Sequence, residues 1–198
     1  MNEFLPGRPE RRRYFRVEDE IILTYRPIPP EEVPDPEQFQ SQCVDHFSLT
    51  STLECLSRES LLQFRLIQRD HPEVAKYLEV LERKIQVLAQ AFLLSANPLS
   101  DQPTRKVSLS ASGLAFEAEQ SLAEGQILEL KLVVPPALVG ILTFGKVVYC
   151  RLKEDSRYRI GVDFLALRDQ DREFLIRHVV KRQLVQLRER KGPVSELD

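Results

Sequence analysis

Cysteine is scarce: Cys43, Cys55 and Cys150 are the three in 198 residues, far apart and with no CxxC pair. An odd, scattered set speaks against a disulfide framework and against a structural zinc site. An excess of one charge is missing too. Lys and Arg number 28, Asp and Glu 30, for a net charge of −2, so the average field recruits neither nucleic acid nor an anionic membrane. No stretch approaches the roughly 20 apolar residues of a membrane span. Met1 to Arg16 is charged and broken by proline, unlike a signal peptide. These features predict a reducing cytoplasm. His46, His71 and His178 stand isolated, and GxSxG, HExxH and GxxxxGK[ST] are all missing. Cys150 lies in a strand pattern with no neighbouring histidine and reads as a structural thiol. The expectation is no enzyme, no bound metal and no cofactor.

The length fits one domain with an embellishment, and 42% apolar residues are enough for its core. Glu20 to Tyr25 reads as a short strand, rich in β-branched and aromatic residues. Residues 27–36 hold five prolines and read as a stiff connector. The period then becomes helical. Leu53, Leu56, Phe64 and Ile67 share a face, Asp70-His71-Pro72 punctuates, and Val74, Leu78, Leu81, Ile85, Leu88 and Phe92 step by four and three. Those six positions form a heptad seam about 27 Å long. Asn97-Pro98 ends it.

From Arg105 the period is two. Leu114, Phe116 and Ala118 alternate with polar or small residues, as do Leu128, Leu130, Leu132 and Val134. Ile141 to Arg151 is a further strand with a bulge expected at Gly145, and Tyr158 to Phe164 another. Several short alternating strands predict a small antiparallel barrel or sandwich. Asp169 opens a last helix to about Arg190 with Ile176, Val180, Leu184 and Leu187 as its apolar stripe and Arg188, Arg190 and Lys191 at its end.

Two short segments could carry ligand chemistry. Arg12-Arg13-Tyr14-Phe15-Arg16 places guanidinium groups just before a strand, and Arg8 and Arg11 precede them. Guanidinium binds phosphate bidentately and stacks on bases. Ser108 to Gly113, SLSASG, offers hydroxyl donors and a glycine for close backbone approach. Each alone also fits a solvated basic tail and a polar turn.

Together, the RxxxR spacing of Arg12 and Arg16, the [D/N]xSxxG-like Ser108–Gly113 and the YRIGVDF run from Tyr158 resemble the PilZ family, a class of cyclic di-GMP receptors. The resemblance covers residues 8–26 and 104–190. It implies a six-stranded barrel whose N-terminal arginines fold over the nucleotide. Arg12 and Arg16 would grip phosphate and stack on guanine beside Arg13, with Ser108, Ser110 and Gly113 beneath. Position 108 is Ser where the family carries Asp or Asn. Loss of one base-edge contact costs on the order of 1–3 kcal/mol. The helical segment, where typical members have a short loop, resembles that of atypical members that form tetramers.

The expected layout is one domain over 1–198. It is mainly β with helices (α+β) and comprises an arginine arm and first strand (8–26), the connector (27–36), a helical oligomerisation insertion of two helices forming a coiled coil (43–97), the remaining strands (104–166) and the last amphipathic helix (169–191). The expected function is a receptor or adaptor for cyclic di-GMP that oligomerises, as a tetramer for preference, and signals to an effector protein. Motility, pilus or biofilm regulation is implied by the resemblance. The alternative is a ligand-free PilZ-fold scaffold. Neither DNA or RNA binding nor membrane insertion is expected.

Overall fold

The computed structural model describes residues 15–41, 47–95 and 103–191. Its strands are β1 (Val17–Ile28), β2 (Arg105–Ser110), β3 (Gly113–Ala118), β4 (Ile127–Val134), β5 (Val139–Leu152) and β6 (Tyr158–Ala166). Its α-helices are α1 (Pro36–Ser41), α2 (Leu49–Glu59), α3 (Leu61–Asp70), α4 (Pro72–Ser95) and α5 (Asp169–Lys191). All strand pairs are antiparallel, and the order β1-β2-β3-β6-β5-β4 closes into a barrel. Alternation sends Leu114, Phe116, Leu128, Leu130, Leu132, Ile141, Ile160 and Val162 into one interior cluster, to which α5 adds Phe174 and Leu175. The six-stranded barrel with a helical insertion and a C-terminal helix is the architecture expected from the sequence, but the insertion, expected as two helices, is built of three, α2, α3 and α4.

Several local expectations need correction. β1 is longer than Glu20–Tyr25 and divides its partners: Val17–Ile21 pair with β2, and Ile22–Ile28 pair with β4. Pro27 therefore lies inside the strand, opposite Leu128, where β2 has already ended. A residue that cannot donate is tolerated where the strand has one neighbour. The connector is not featureless either, since Pro30–Glu32 form a 3-10 turn and α1 begins at Pro36.

The insertion breaks where its sequence punctuates. Ser60 separates α2 from α3, its hydroxyl bonding back to the carbonyls of Leu56 and Ser57 at 3.1 Å. The break alters the phase of the helical face: Leu53, Phe64 and Ile67 are half-buried, but Leu56 is exposed. Pro72 starts α4, which returns alongside α3 and α2. Its far end is seated on the barrel through Leu93, clustered with Phe47 and Val133. The root of α2 is pinned as well. The Gly140 N–H donates to Thr50 Oγ1 at 2.8 Å, and the buried Arg168 donates to Ser51 Oγ at 3.2 Å and to Asp171 at 2.8 Å.

The last correction concerns α5. Its barrel side carries Asp171, Phe174, Leu175, His178 and Val179, while Ile176, Val180, Leu184 and Leu187 face outward. The true packing face is interrupted by charged groups that find partners on β1, so it scores as less apolar than the outer one. Asp19, buried near the start of β1, receives His178 at 2.5 Å and Arg182 at 2.7 Å.

Candidate functional site

Arg16 leads directly into β1, where Val17 faces Leu109 and Glu18 faces Ser108. Ser108 faces Ala115, Ala115 faces Gly161, and Gly161 faces Tyr149. Their chain neighbours Val107, Leu109, Leu114, Phe116, Ile160 and Val162 point into the core. Glu18, Ser108, Ala115, Gly161 and Tyr149 therefore form a belt across the outside of the barrel.

Tyr149 belongs to that belt because of a bulge. Between Val147↔Val162 and Tyr149↔Gly161 the register shifts, leaving Val148 as an extra residue on β5. Simple alternation from the inward Val147 would turn Tyr149 into the core; the extra residue turns it outward. A Cβ on Gly161 would lie 2.1, 2.4 and 2.7 Å from three consecutive Tyr149 ring carbons. The ring thus lies face down on that glycine. The Arg151 guanidinium stands 5.1 Å from the ring centroid.

Ser110 and Gly113 are both committed to the fold. Ser110 is fully buried, and its hydroxyl donates to the Gly113 carbonyl at 2.9 Å, closing the two-residue turn between β2 and β3. The Ser112 carbonyl accepts from the Phe164 N–H at 2.9 Å, which ties the turn to β6. A Cβ on Gly113 would stand 2.3 Å from the Val162 carbonyl oxygen, so β3 and β6 approach too closely for any other residue. Ser108 is half-buried on the outer face. Arg16, Ser108, Ser110 and Gly113 thus gather where β1, β2 and β3 meet. Arg12 and Arg13, like Arg8 and Arg11, lie outside the described residues.

The electrostatics favour an anion on this face. Arg151 and Arg159 are cross-strand neighbours, and Glu117 faces Arg159. The Glu117 carboxylate is engaged by Lys153 at 2.6 Å and Arg157 at 2.9 Å. The Lys153 hydrogen bond, helped by both cations against some burial, holds its pKa below the usual value. Neither Arg16 nor Arg159 has an ion pair among the described residues. A planar base can stack on an aromatic ring while guanidinium groups take phosphate. Sequence reasoning missed Tyr149, Arg151 and Arg159, because register and bulge, which turn them onto the same outer face as Ser108, have no local signature.

At the far end of β2 and β3, sharing Glu117 and Arg157 with this face, lies a cleft of about 830 Å³ also bordered by Tyr25, Arg105, Lys106 and Gln120. It mixes both charge signs and includes none of the expected ligand residues. Among the described residues no cluster of His, Cys, Asp and Glu could hold a metal ion, and no helix is long and apolar enough to cross a membrane. Among the described residues the α4 seam stays largely exposed. Val74, Leu81, Ile85, Leu88 and Phe92 are 41–70% exposed, and Leu78 is half-buried.

The PilZ domain model matches residues 82–181. This chain belongs to the PilZ domain family. The matched span contains β2 to β6 and stops short of β1 and Arg16. A tetrameric PilZ domain protein from Xanthomonas campestris, self-assembled through a helical bundle, is similar in structure. The TM-score is 0.57 at 15% identity, over 88% of this chain and 89% of that one. At that identity the likeness is one of fold. The inhibitor of motility from Bacillus subtilis is similar over 43% of this chain and 44% of its own, with a TM-score of 0.39 and 20% identity. No curated protein matches the sequence. PilZ domains are binding and adaptor modules, and no catalytic family is indicated.

Proposed function

We propose that this PilZ protein is a cytoplasmic receptor–adaptor that binds cyclic di-GMP on the outer β1–β2–β3–β6 face and assembles through α4. The carrying observation is the belt of Ser108, Ala115, Gly161 and Tyr149 beside Arg16, with Arg151 and Arg159 on its flank. Tyr149, whose ring covers Gly161, offers a stacking surface, and the arginines offer phosphate donors. By the family pattern Arg12 and Arg16 clasp the nucleotide, with Arg13 beside them. Assembly is supported by the largely exposed α4 seam, and the similar Xanthomonas protein is a tetramer formed through helices. The ligand then acts on an effector protein through an already multivalent adaptor.

The test is calorimetric titration of cyclic di-GMP into the wild type and Arg16→Ala. Micromolar binding by the wild type, weakened at least about tenfold in the variant, supports the receptor reading. A second reading is a PilZ-fold scaffold that binds no nucleotide. It is favoured by Ser108, which reaches less far than Asp or Asn, and by the full engagement of the Ser110 hydroxyl in the turn. Absence of heat with the wild type, together with an oligomeric mass, would select it.

A further inference from the structure

Helix α5 is apolar on two opposite sides, and the barrel uses one of them. The outward side carries Ile176, Val180, Leu184 and Leu187, 36–53% exposed. Steps of four, four and three residues keep them on one stripe, about 17 Å long at 1.5 Å per residue. Arg177, Lys181 and Arg188 repeat nearly the same steps one residue on, so cations border the stripe along one edge. Arg177 is partly engaged by Glu173 at 3.6 Å, whereas Lys181 and Arg188 have no ion pair among the described residues. Between Ile176 and Lys191, Glu189 is the single carboxylate.

We propose that this face of α5 is the docking surface for an acidic amphipathic helix of a partner protein. An aliphatic stripe of three turns matches anchors spaced i, i+3, i+4 and i+7 on an incoming helix, and the cationic edge demands Glu or Asp along one side of it. A second copy of α5 is the wrong occupant. In an antiparallel pair the edge of Arg177, Lys181 and Arg188 meets its own duplicate. In a parallel pair it meets the opposite edge, on which Arg172 lies. Like charges oppose both arrangements. The surface is separate from the α4 seam and from the outer belt, so it stands whether or not nucleotide binding and α4 assembly hold.

The probe is a designed acidic amphipathic peptide with leucines at i, i+3, i+4 and i+7, compared with a twin whose glutamates are replaced by lysine. Fluorescence anisotropy with the full chain should show the acidic peptide binding at least about tenfold tighter than its twin, and more weakly as salt rises. Lys181→Glu with Arg188→Glu should remove that preference, and Leu184→Glu should abolish binding. These positions are exposed, and circular dichroism melts verify that the variants remain folded. Equal binding of both peptides, binding of neither, or Leu184→Glu without effect overturns the proposal. Two further controls assign the face elsewhere. Co-sedimentation with anionic lipid vesicles that Leu184→Glu abolishes, without peptide binding, gives it to a membrane. A drop in oligomeric mass in Leu184→Glu gives it to a second copy.

Discussion

Leu81 is the third of the six seam positions on α4 and is 43% exposed in the single chain. If the seam is an interface, assembly buries the remainder of that side chain, for roughly 1 kcal/mol per chain. Leu81→Glu loses this and places a carboxylate without a partner in an apolar layer, which costs several kcal/mol more. A combined penalty of about 3 kcal/mol per chain lowers apparent subunit affinity about a hundredfold. Light scattering across a dilution series reads the result. The wild type should run as a multiple of the 22.9 kDa chain, a tetramer being four times that mass, about 92 kDa. Leu81→Glu should fall to the mass of one chain. Gln86→Glu adds the same charge five residues on, about 140° around the helix, at an exposed site, and should leave the mass unchanged. The single chain should stay folded in every case, because its core lies in the barrel and not in the arm. A wild type that runs as one chain at every concentration refutes the seam as an interface. So does a Leu81→Glu variant with wild-type mass.

Three further outcomes test the site and its frame. Gly113→Ala should destabilise more than Gly161→Ala, by about 3 against about 1 kcal/mol in denaturant unfolding. The first Cβ strikes the Val162 backbone oxygen, while the second strikes a ring that can swing away; Tyr149→Ala should therefore abolish most of the Gly161→Ala penalty. Asp19→Asn should cost about 2 kcal/mol and lower the melting temperature by roughly 4–8 °C. Burial opposes ionisation of Asp19, but the hydrogen bonds from His178 and the Glu20 N–H and the nearby Arg182 guanidinium outweigh it and hold its pKa below the ordinary aspartate value. The stability it contributes is thus fully present above about pH 4 and is lost as pH falls through the lower folded value; the variant and the wild type should converge in acid melts. Ser108→Asn, which restores a family side chain, should tighten cyclic di-GMP binding by about tenfold in calorimetry. Ser108→Asp should gain less, because Glu18 lies directly across the strand pair.

The strands were legible because their signal is local, and the family resemblance closed them into a barrel. Leu128, Leu130 and Leu132 alternate without interruption, and the structure buries all three. The α4 boundary was equally readable, since Pro72 can open a helix but not continue one. Tyr149 was not, because a single extra residue at Val148 reverses the facing of the strand beyond it, and nothing in VVYC marks that residue as the bulge. The outward stripe of α5 was misplaced for a related reason. Periodicity finds the more apolar side of a helix, whereas the barrel takes the side that holds His178 and Arg182, both partnered by Asp19 on a strand more than 150 residues earlier. Long-range charge pairing leaves no trace in a window of seven residues. The arginine arm was readable as a pattern, but Arg12 and Arg13 lie outside the described residues, so only Arg16 is placed.

Ser110 and Gly113 serve the fold before any ligand. One closes the β2–β3 turn with its hydroxyl, and the other admits the β6 backbone. A chain that kept this barrel and lost the nucleotide would still need both residues. Their presence therefore supports the architecture strongly and the ligand weakly. The discriminating positions are those whose side chains reach outward and do no work for the barrel: Ser108, which departs from the family choice, and Arg16, which keeps it. Binding then depends on whether Arg16, with Arg151 and Arg159, supplies enough phosphate contact to offset a shorter side chain at one base edge. The first contribution weakens with salt and the second does not. Titration of cyclic di-GMP at low and high ionic strength separates the two. Steep salt dependence in the wild type, with a parallel line at tighter affinity for Ser108→Asn, is the pattern expected of an arginine-held nucleotide; a flat response in both would mean that the arginines are not the grip.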